Sequence, residues 1–350
     1  MVKMLPEVLE PALRLDIDSD ALVSNWRALD RLSGAARAGA AVKANAYGLG
    51  AKQVVPLLRE AGCADFFVAH WGEAAELLNS AEPTSIAVLH GPLSDADAAF
   101  ARASGIVPVI NSLAQAQRWN AAGGGRCHLM VDTGINRLGV SLAELGDDAV
   151  RALDIDVMLS HLVASEEETD LNALQCARWN AARGEVRHAR ASLANSGGIA
   201  LGADFHGDLT RPGIALYGGV PRGEMAALLR QVARPQAAIL QVHDVAAGET
   251  IGYNATFTAP HAMRVGTIAL GYADGYLRCW SGKGAFHANG KRLPVLGRVS
   301  MDMTVIDLSS ASDLGEGDWV TADYALPEAA AVSGLSQYEL LTSLGRRFGR

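Results

Sequence analysis

The chain has 350 residues, 49% hydrophobic and 19% charged, which suits a soluble globular protein too long for one small core. Its formal net charge of -8 argues against nucleic acid as a partner and gives no pull toward anionic lipid, since both need a basic face. No apolar run reaches the ~18 residues of a membrane span, and acids and prolines stand where a secretory signal would be apolar, so the cytoplasm is the expected compartment.

In chain order, residues 1–18 end in RLDID (14–18), a strand-like stretch ahead of the first helical pattern. Short apolar runs follow: AAVKA (40–44), FFVAH (66–70), SIAVLH (85–90), VPVI (107–110), RCHLMVDT (126–133), DVMLSHLV (156–163), HARASLANS (188–196) and GDLTRPG (207–213). Between them lie stretches such as AKQVVPLLREAG, with apolar residues three and four apart. Buried strand then amphipathic helix, repeated eight times, predicts a (β/α)8 TIM-type barrel over residues 19–230. The last run is the weakest strand because it contains Pro212. Beyond residue 230, AAILQVHDV, MRVGTIALGYADGY, RLPVLGRVSMDMTVIDL and GDWVTADYA are strand-like with Gly and Asp turns. Helical spacing returns only in SQYELLTSLGRRFGR, so residues 231–350 read as a C-terminal mainly-β domain. RLDID could pair with either domain.

A barrel places its chemistry in the loops after the C-terminal strand ends, and the reactive residues fall there. Lys43 is the only lysine inside an apolar strand, where lost hydration lowers an amine's pKa and makes it a nucleophile able to form a Schiff base. A lysine snorkelling at the rim is an equal reading from position alone. Tyr47 could bond a phosphate or simply pack. The Gly213 and Ile214 amides, with the Ser196 hydroxyl, could cradle a phosphate, although an ordinary turn at Arg211-Pro212-Gly213 explains those residues alone. His161 could be a ligand, a base or a core histidine. Tyr253, in GETIGYNATF, becomes a useful base only beside cations. Cys63, Cys127, Cys176 and Cys279 form no CxxC pair, and no HxH or carboxylate cluster suggests a metal, so inert thiols and no metal are expected.

Taken together, AVKANAYGLG, VDTGINRLG, SHL, ANSGGI, RPGIALYGG, IGYNATF, GYADGY, GRVSMDMTVIDL and YELLTSLGRR resemble the alanine racemases nearly end to end. The resemblance implies pyridoxal 5'-phosphate as cofactor, alanine as substrate and a homodimer whose active sites are shared across the interface. It implies that Lys43 bonds the cofactor covalently and serves as one base, with Tyr253 of the other subunit as the second. Tyr47, Ser196, Gly213, Ile214 and Tyr338 would hold the phosphate, Arg211 would face the pyridine nitrogen, and His161 would link Tyr253 to Arg211. Arg137 would bind the substrate carboxylate, Met301 and Asp302 of the partner would line the substrate site, and Tyr272 and Glu166 would lie on the entry channel. Met130 departs from the family pattern. Many members carry there a lysine, carboxylated to an anion that holds the substrate-binding arginine, so here a small anion or a nearby carboxylate would partner Arg137, or Arg137 would be held more loosely, with a small anion the expected occupant. The implied product, D-alanine, feeds bacterial peptidoglycan. A broader amino-acid racemase on the same scaffold is the alternative, and a non-catalytic cofactor-binding protein a more distant one that should lack the β domain and Tyr253.

Overall fold

The computed structural model describes residues 11–345, 347 and 348. They form two compact units: Ser19–Arg230, and the described residues up to Asp18 together with those from Gln231 onward. Residues 1–10 of the expected N-terminal segment lie outside the described residues.

In the first unit, parallel strands pair in chain order: Ala40–Ala41, Phe66–Val68, Ile86–Val88, Val107–Ile110, Arg126–Asp132, Asp154–Leu159 and Arg190–Ser192. Leu209–Thr210 runs parallel to Arg37–Ala38 and closes the ring. The Asp208 amide donates to the Ala191 carbonyl at 2.8 Å, and the Ala41 amide to the Pro212 carbonyl at 2.8 Å. Pro212 has no N–H to give, so the last strand shrinks to a two-residue pairing while its carbonyl still takes part.

Side-chain alternation divides the apolar residues between two layers. Phe67, Ala87, Val109, Met130, Val157, Leu159 and Leu209 pack as one buried cluster, the barrel interior. Leu129, Val131 and Met158 pack instead with Trp119 and Trp179, from helices Leu113–Ala121 and Asp170–Glu185. At roughly 1.5–3 kcal/mol for each large apolar side chain fully buried, these layers carry the fold. Near the N-terminal strand ends, Arg190 reaches Asp65 at 2.9 Å and Asp156 at 2.9 Å, and Arg126 also bonds Asp156. This ion-pair network therefore lies at the end of the barrel away from the loops where chemistry is expected.

The strand expected over 40–44 ends at Ala41. Val42, with ψ 15, has left the extended region, and Ala44, Asn45, Ala46 and Tyr47 then take φ of 53, 53, 54 and 54. Lys43 thus opens a left-handed turn instead of sitting inside a strand. L-residues resist that conformation by about 1–2 kcal/mol each, so the surroundings must hold it. Part of that hold is visible: the Ala46 amide donates to Val42 at 2.8 Å and the Ala51 amide to Asn45 Oδ1 at 2.8 Å.

In the second unit, Leu13–Ile17 pairs antiparallel with Ala233–Ala237, so the strand-like N-terminal stretch belongs with the β sheet. The long strand Ala233–Val245 also pairs with Met263–Ile268 and Trp319–Ala322. Strands Thr304–Asp307, Lys291–Leu296 and Ala285–Ala288 continue this antiparallel sheet, and helices Leu326–Ser333 and Gln337–Thr342 follow it. Among the described residues, no helix is long and apolar enough to cross a membrane.

Candidate active site

Three separate loops build the cradle expected around Gly213. Asn195 caps the short helix Ser196–Ala200, its side chain accepting from the Gly198 amide at 2.9 Å. This fixes Ser196 at the helix start, where its Oγ accepts the Gly213 amide at 2.8 Å and the Ala215 amide at 3.3 Å. With both lone pairs occupied, the hydroxyl is left with one proton to donate, which suits an anionic oxygen. The Gly213 amide thus ties the last strand's loop to Ser196, joining two parts of the expected cradle. A Cβ on Gly213 would lie 2.2 Å from the Tyr47 hydroxyl oxygen, so only glycine lets Tyr47 reach this point. The Tyr47 ring rests 4.9 Å from that of Tyr217, and burial pushes its phenol up to about 12, with Glu166 adding to the effect. Tyr47 is thus a neutral donor. The Ser196 and Tyr47 hydroxyls, beside a position closed to any residue larger than glycine, fit a phosphate.

Lys43, four residues before Tyr47, is half-buried. Its amine is held below its ordinary value by burial first and then by Arg137 and Arg211, while Glu73 opposes them. Each of these lowering effects favours the neutral, nucleophilic form of the amine. Arg211 is buried, and its guanidinium donates to the Ser192 hydroxyl and to the Ser160 and Leu193 carbonyls. Burial lowers it only to about 10, so it remains a fixed cation at neutral pH. His161 is pushed down to about 3 by burial, then by Arg211, Arg137 and Lys43, so its ring is neutral. Gln175 donates to the His161 carbonyl at 3.1 Å and pins that backbone.

Arg137 sits on a loop shaped by Asp132, whose Oδ1 accepts the Gly134 amide at 2.7 Å and the Asn136 amide at 3.2 Å. It is exposed and has no carboxylate partner among the described residues. Met130 is 7% exposed inside the barrel cluster, where it offers Arg137 no charge.

The remaining expected residues lie in the second unit. Tyr253 is not in a strand: it begins the 3-10 turn Tyr253–Ala255, after Thr250–Ile251, and is 63% exposed. Gly252, at φ 77, and Asn254, at φ 61, bend the chain there. Met301 is 54% exposed, on a turn hooked to its neighbour by Tyr272 N–H to the Ser300 carbonyl at 3.0 Å and Ala273 N–H to the Met301 carbonyl at 2.9 Å. Asp302, beside it, accepts from Arg347 at 2.7 Å, and Arg347 in turn holds buried Asp274 at 2.7 Å. Tyr338 lies on helix Gln337–Thr342 and is partly buried. Tyr272 lies under the Arg278 guanidinium, 5.1 Å from the ring centre. Glu73 and Arg347 are the two charged residues that sequence reading passed over. Glu73 stands in none of the motifs, and Arg347, although it ends YELLTSLGRR, gives no sign there of its partners, because each acts through backbone amides or carboxylates distant in sequence.

Comparison with known proteins adds to this geometry. The family model described as "Alanine racemase, N-terminal domain" matches residues 17–221, and "Alanine racemase, C-terminal domain" matches 232–350. A Methylobacterium nodulans protein named alanine racemase is 41% identical, over 96% of this chain and 95% of its own length. An Agrobacterium fabrum protein named "Alanine racemase, biosynthetic" is 38% identical, over 97% of this chain and 93% of its own. Among solved structures, alanine racemase from Bartonella henselae, described with covalently bound pyridoxal phosphate, superposes with a TM-score of 0.88 at 35% identity, covering 97% of this chain and 98% of that one.

Proposed function

The chain belongs to the alanine racemase family of isomerases, and on that premise we propose that it interconverts L-alanine and D-alanine with pyridoxal 5'-phosphate, using Lys43 and Tyr253 as its two bases. The observation that carries this reading is the half-buried Lys43 amine, depressed by burial and two arginines, four residues from a cradle closed by Tyr47, Ser196 and Gly213. When bound, pyridoxal phosphate supplies an electron sink that stabilises negative charge at the substrate α-carbon. Lys43 would hold its aldehyde carbon. Ser196, Tyr47 and the Ile214 amide would hold its phosphate, and the family resemblance gives Tyr338 the same role.

The chain's own residues then divide the proton work. Inverting a stereocentre requires removing the α-proton on one face and returning one on the other. Two bases on opposite faces do this without either having to cross the plane, and each general base is worth about 10²–10⁴-fold. Lys43 Nζ serves one face and the Tyr253 hydroxyl the other. Arg211, a fixed cation, would face the ring nitrogen and limit electron withdrawal into the ring. Neutral His161 has one nitrogen to accept and one to donate, which suits a relay between Tyr253 and Arg211. Arg137, exposed and without a carboxylate partner among the described residues, is available for the substrate carboxylate.

Tyr253 and Met301 are too exposed in one protomer to act as a water-excluded base and a pocket wall. A second copy completing the site accounts for both, so we place Tyr253, Met301 and Asp302 in the partner's site of a homodimer. The product would serve peptidoglycan synthesis, in the cytoplasm.

The cofactor assignment is tested by reducing the cofactor-saturated protein with borohydride and mapping peptides by mass. The expected result is one cofactor adduct, on the Lys43 peptide, and none in Lys43→Ala. An adduct on another residue, or none in a folded and saturated sample, would overturn it.

A further inference from the structure

The left-handed turn after Lys43 needs an external hold, and one carboxylate bonded to it has no role so far. Glu73 stands in the first turn of helix Trp71–Glu76, where His70, the cap, accepts the Glu73 amide through Nδ1 at 3.4 Å. The Glu73 side chain is 18% exposed. Its Oε1 accepts the Ala44 amide at 2.6 Å, and its Oε2 accepts the Ala69 amide at 2.8 Å. Ala44 is the residue next to Lys43 and the first at positive φ. Ala69 directly follows the strand Phe66–Val68. One carboxylate thus ties the start of the strained turn to the mouth of the neighbouring strand, and both of its oxygens are used as acceptors. Glutamine could offer only one acceptor and would turn an NH2 group against the other amide. Aspartate would be one methylene short of bridging them.

We propose that Glu73 is a positioning residue: by accepting the Ala44 and Ala69 amides it locks the left-handed turn that aims Lys43 at the cofactor. This rests on the reading that Lys43 carries pyridoxal phosphate. A glutamate that merely supports its own helix would leave cofactor retention unchanged, which separates the two roles.

The test follows cofactor loss from the holoprotein during dialysis, by visible absorbance. Glu73→Gln is expected to lose cofactor about tenfold faster, the equivalent of about 1.4 kcal/mol. Adding Ala44→Gly should bring the rate back to within about threefold of wild type, because glycine takes positive φ without the Cβ penalty. Unchanged loss in Glu73→Gln, or faster loss that Ala44→Gly leaves untouched, overturns the proposal. A second measurement needs no cofactor: hydrogen exchange at Ala44 and Ala69. In cofactor-free Glu73→Gln at least one of the two amides should exchange about tenfold faster while strand Asp154–Leu159 keeps its protection. Unaltered protection at both amides also overturns the proposal. A wild-type protein that takes up no cofactor sinks the functional reading instead, and the exchange result then decides about the turn alone.

Discussion

Gly213 shows how a single missing Cβ sets the site. Glycine here is demanded not by its backbone angles but by the Tyr47 hydroxyl, which would lie 2.2 Å from any Cβ. Gly213→Ala should therefore displace Tyr47 and weaken cofactor binding by about tenfold or more, each factor of ten being 1.4 kcal/mol. Titration of the cofactor-free protein, with a thermal melt to confirm folding, checks this, and unchanged affinity in a folded variant would contradict it. At this scale the sequence was informative wherever residue type alone limits the chemistry. A lone lysine in an apolar run and RPGI after the last run marked Lys43 and Gly213 before any contact was known. It was silent about Glu73 and Arg347, common surface residue types whose partners are amides and carboxylates from other loops. It was silent too about the bond between the Gly213 amide and the Ser196 oxygen, because nothing in ANSGGI reveals that pairing.

At the scale of elements, the strand carrying His128 makes stability depend on pH. His128 is buried, its Nδ1 accepts the Val157 amide at 3.3 Å, and burial pushes it down to about 4 despite Asp156 at 3.9 Å. Its folded value lies below the ordinary 6.5, so the unfolded chain takes the proton first. The contribution is complete above about pH 6.5 and drains away as pH falls toward about 4, by roughly 3 kcal/mol in all. His161, at about 3, acts in the same direction, and Asp156, at about 2, adds its loss at still lower pH. His128→Asn keeps an acceptor near the Nδ1 position and should flatten the stability slope between pH 6.5 and 4.5, as read by denaturant midpoints of cofactor-free protein. Equal slopes in wild type and variant would contradict the assignment. The strands themselves were legible because buried parallel strands read as unbroken apolar runs; VPVI, 107–110, matches its strand end to end. The left-handed turn at 44–47 was not legible, since Ala and Tyr have no preference for positive φ and tertiary bonds impose it. The home of Leu13–Ile17 was undecided for a similar reason: its partner, Ala233–Ala237, lies more than two hundred residues away.

At the scale of the whole molecule, the proposed chemistry is divided between two compact units. Lys43, Arg137, His161 and Arg211 belong to the barrel, and Tyr253, Met301 and Asp302 to the β unit. The order of motifs along the chain suggested this division, and the exposure of Tyr253 and Met301 supplies the physical reason for assigning them to another copy's site. Only the family resemblance, and no single residue, points to the tyrosine coming from another copy, because an interface is a property of two folded surfaces. The most direct test mixes two inactive variants. Lys43→Ala protomers keep Tyr253, and Tyr253→Phe protomers keep Lys43. Unfolded together and refolded, they should pair at random into about one half hybrids, each with one intact site, and so recover about a quarter of wild-type racemisation. A mixture as inactive as its two components, in protein shown to be dimeric and cofactor-loaded, would contradict the shared two-base site.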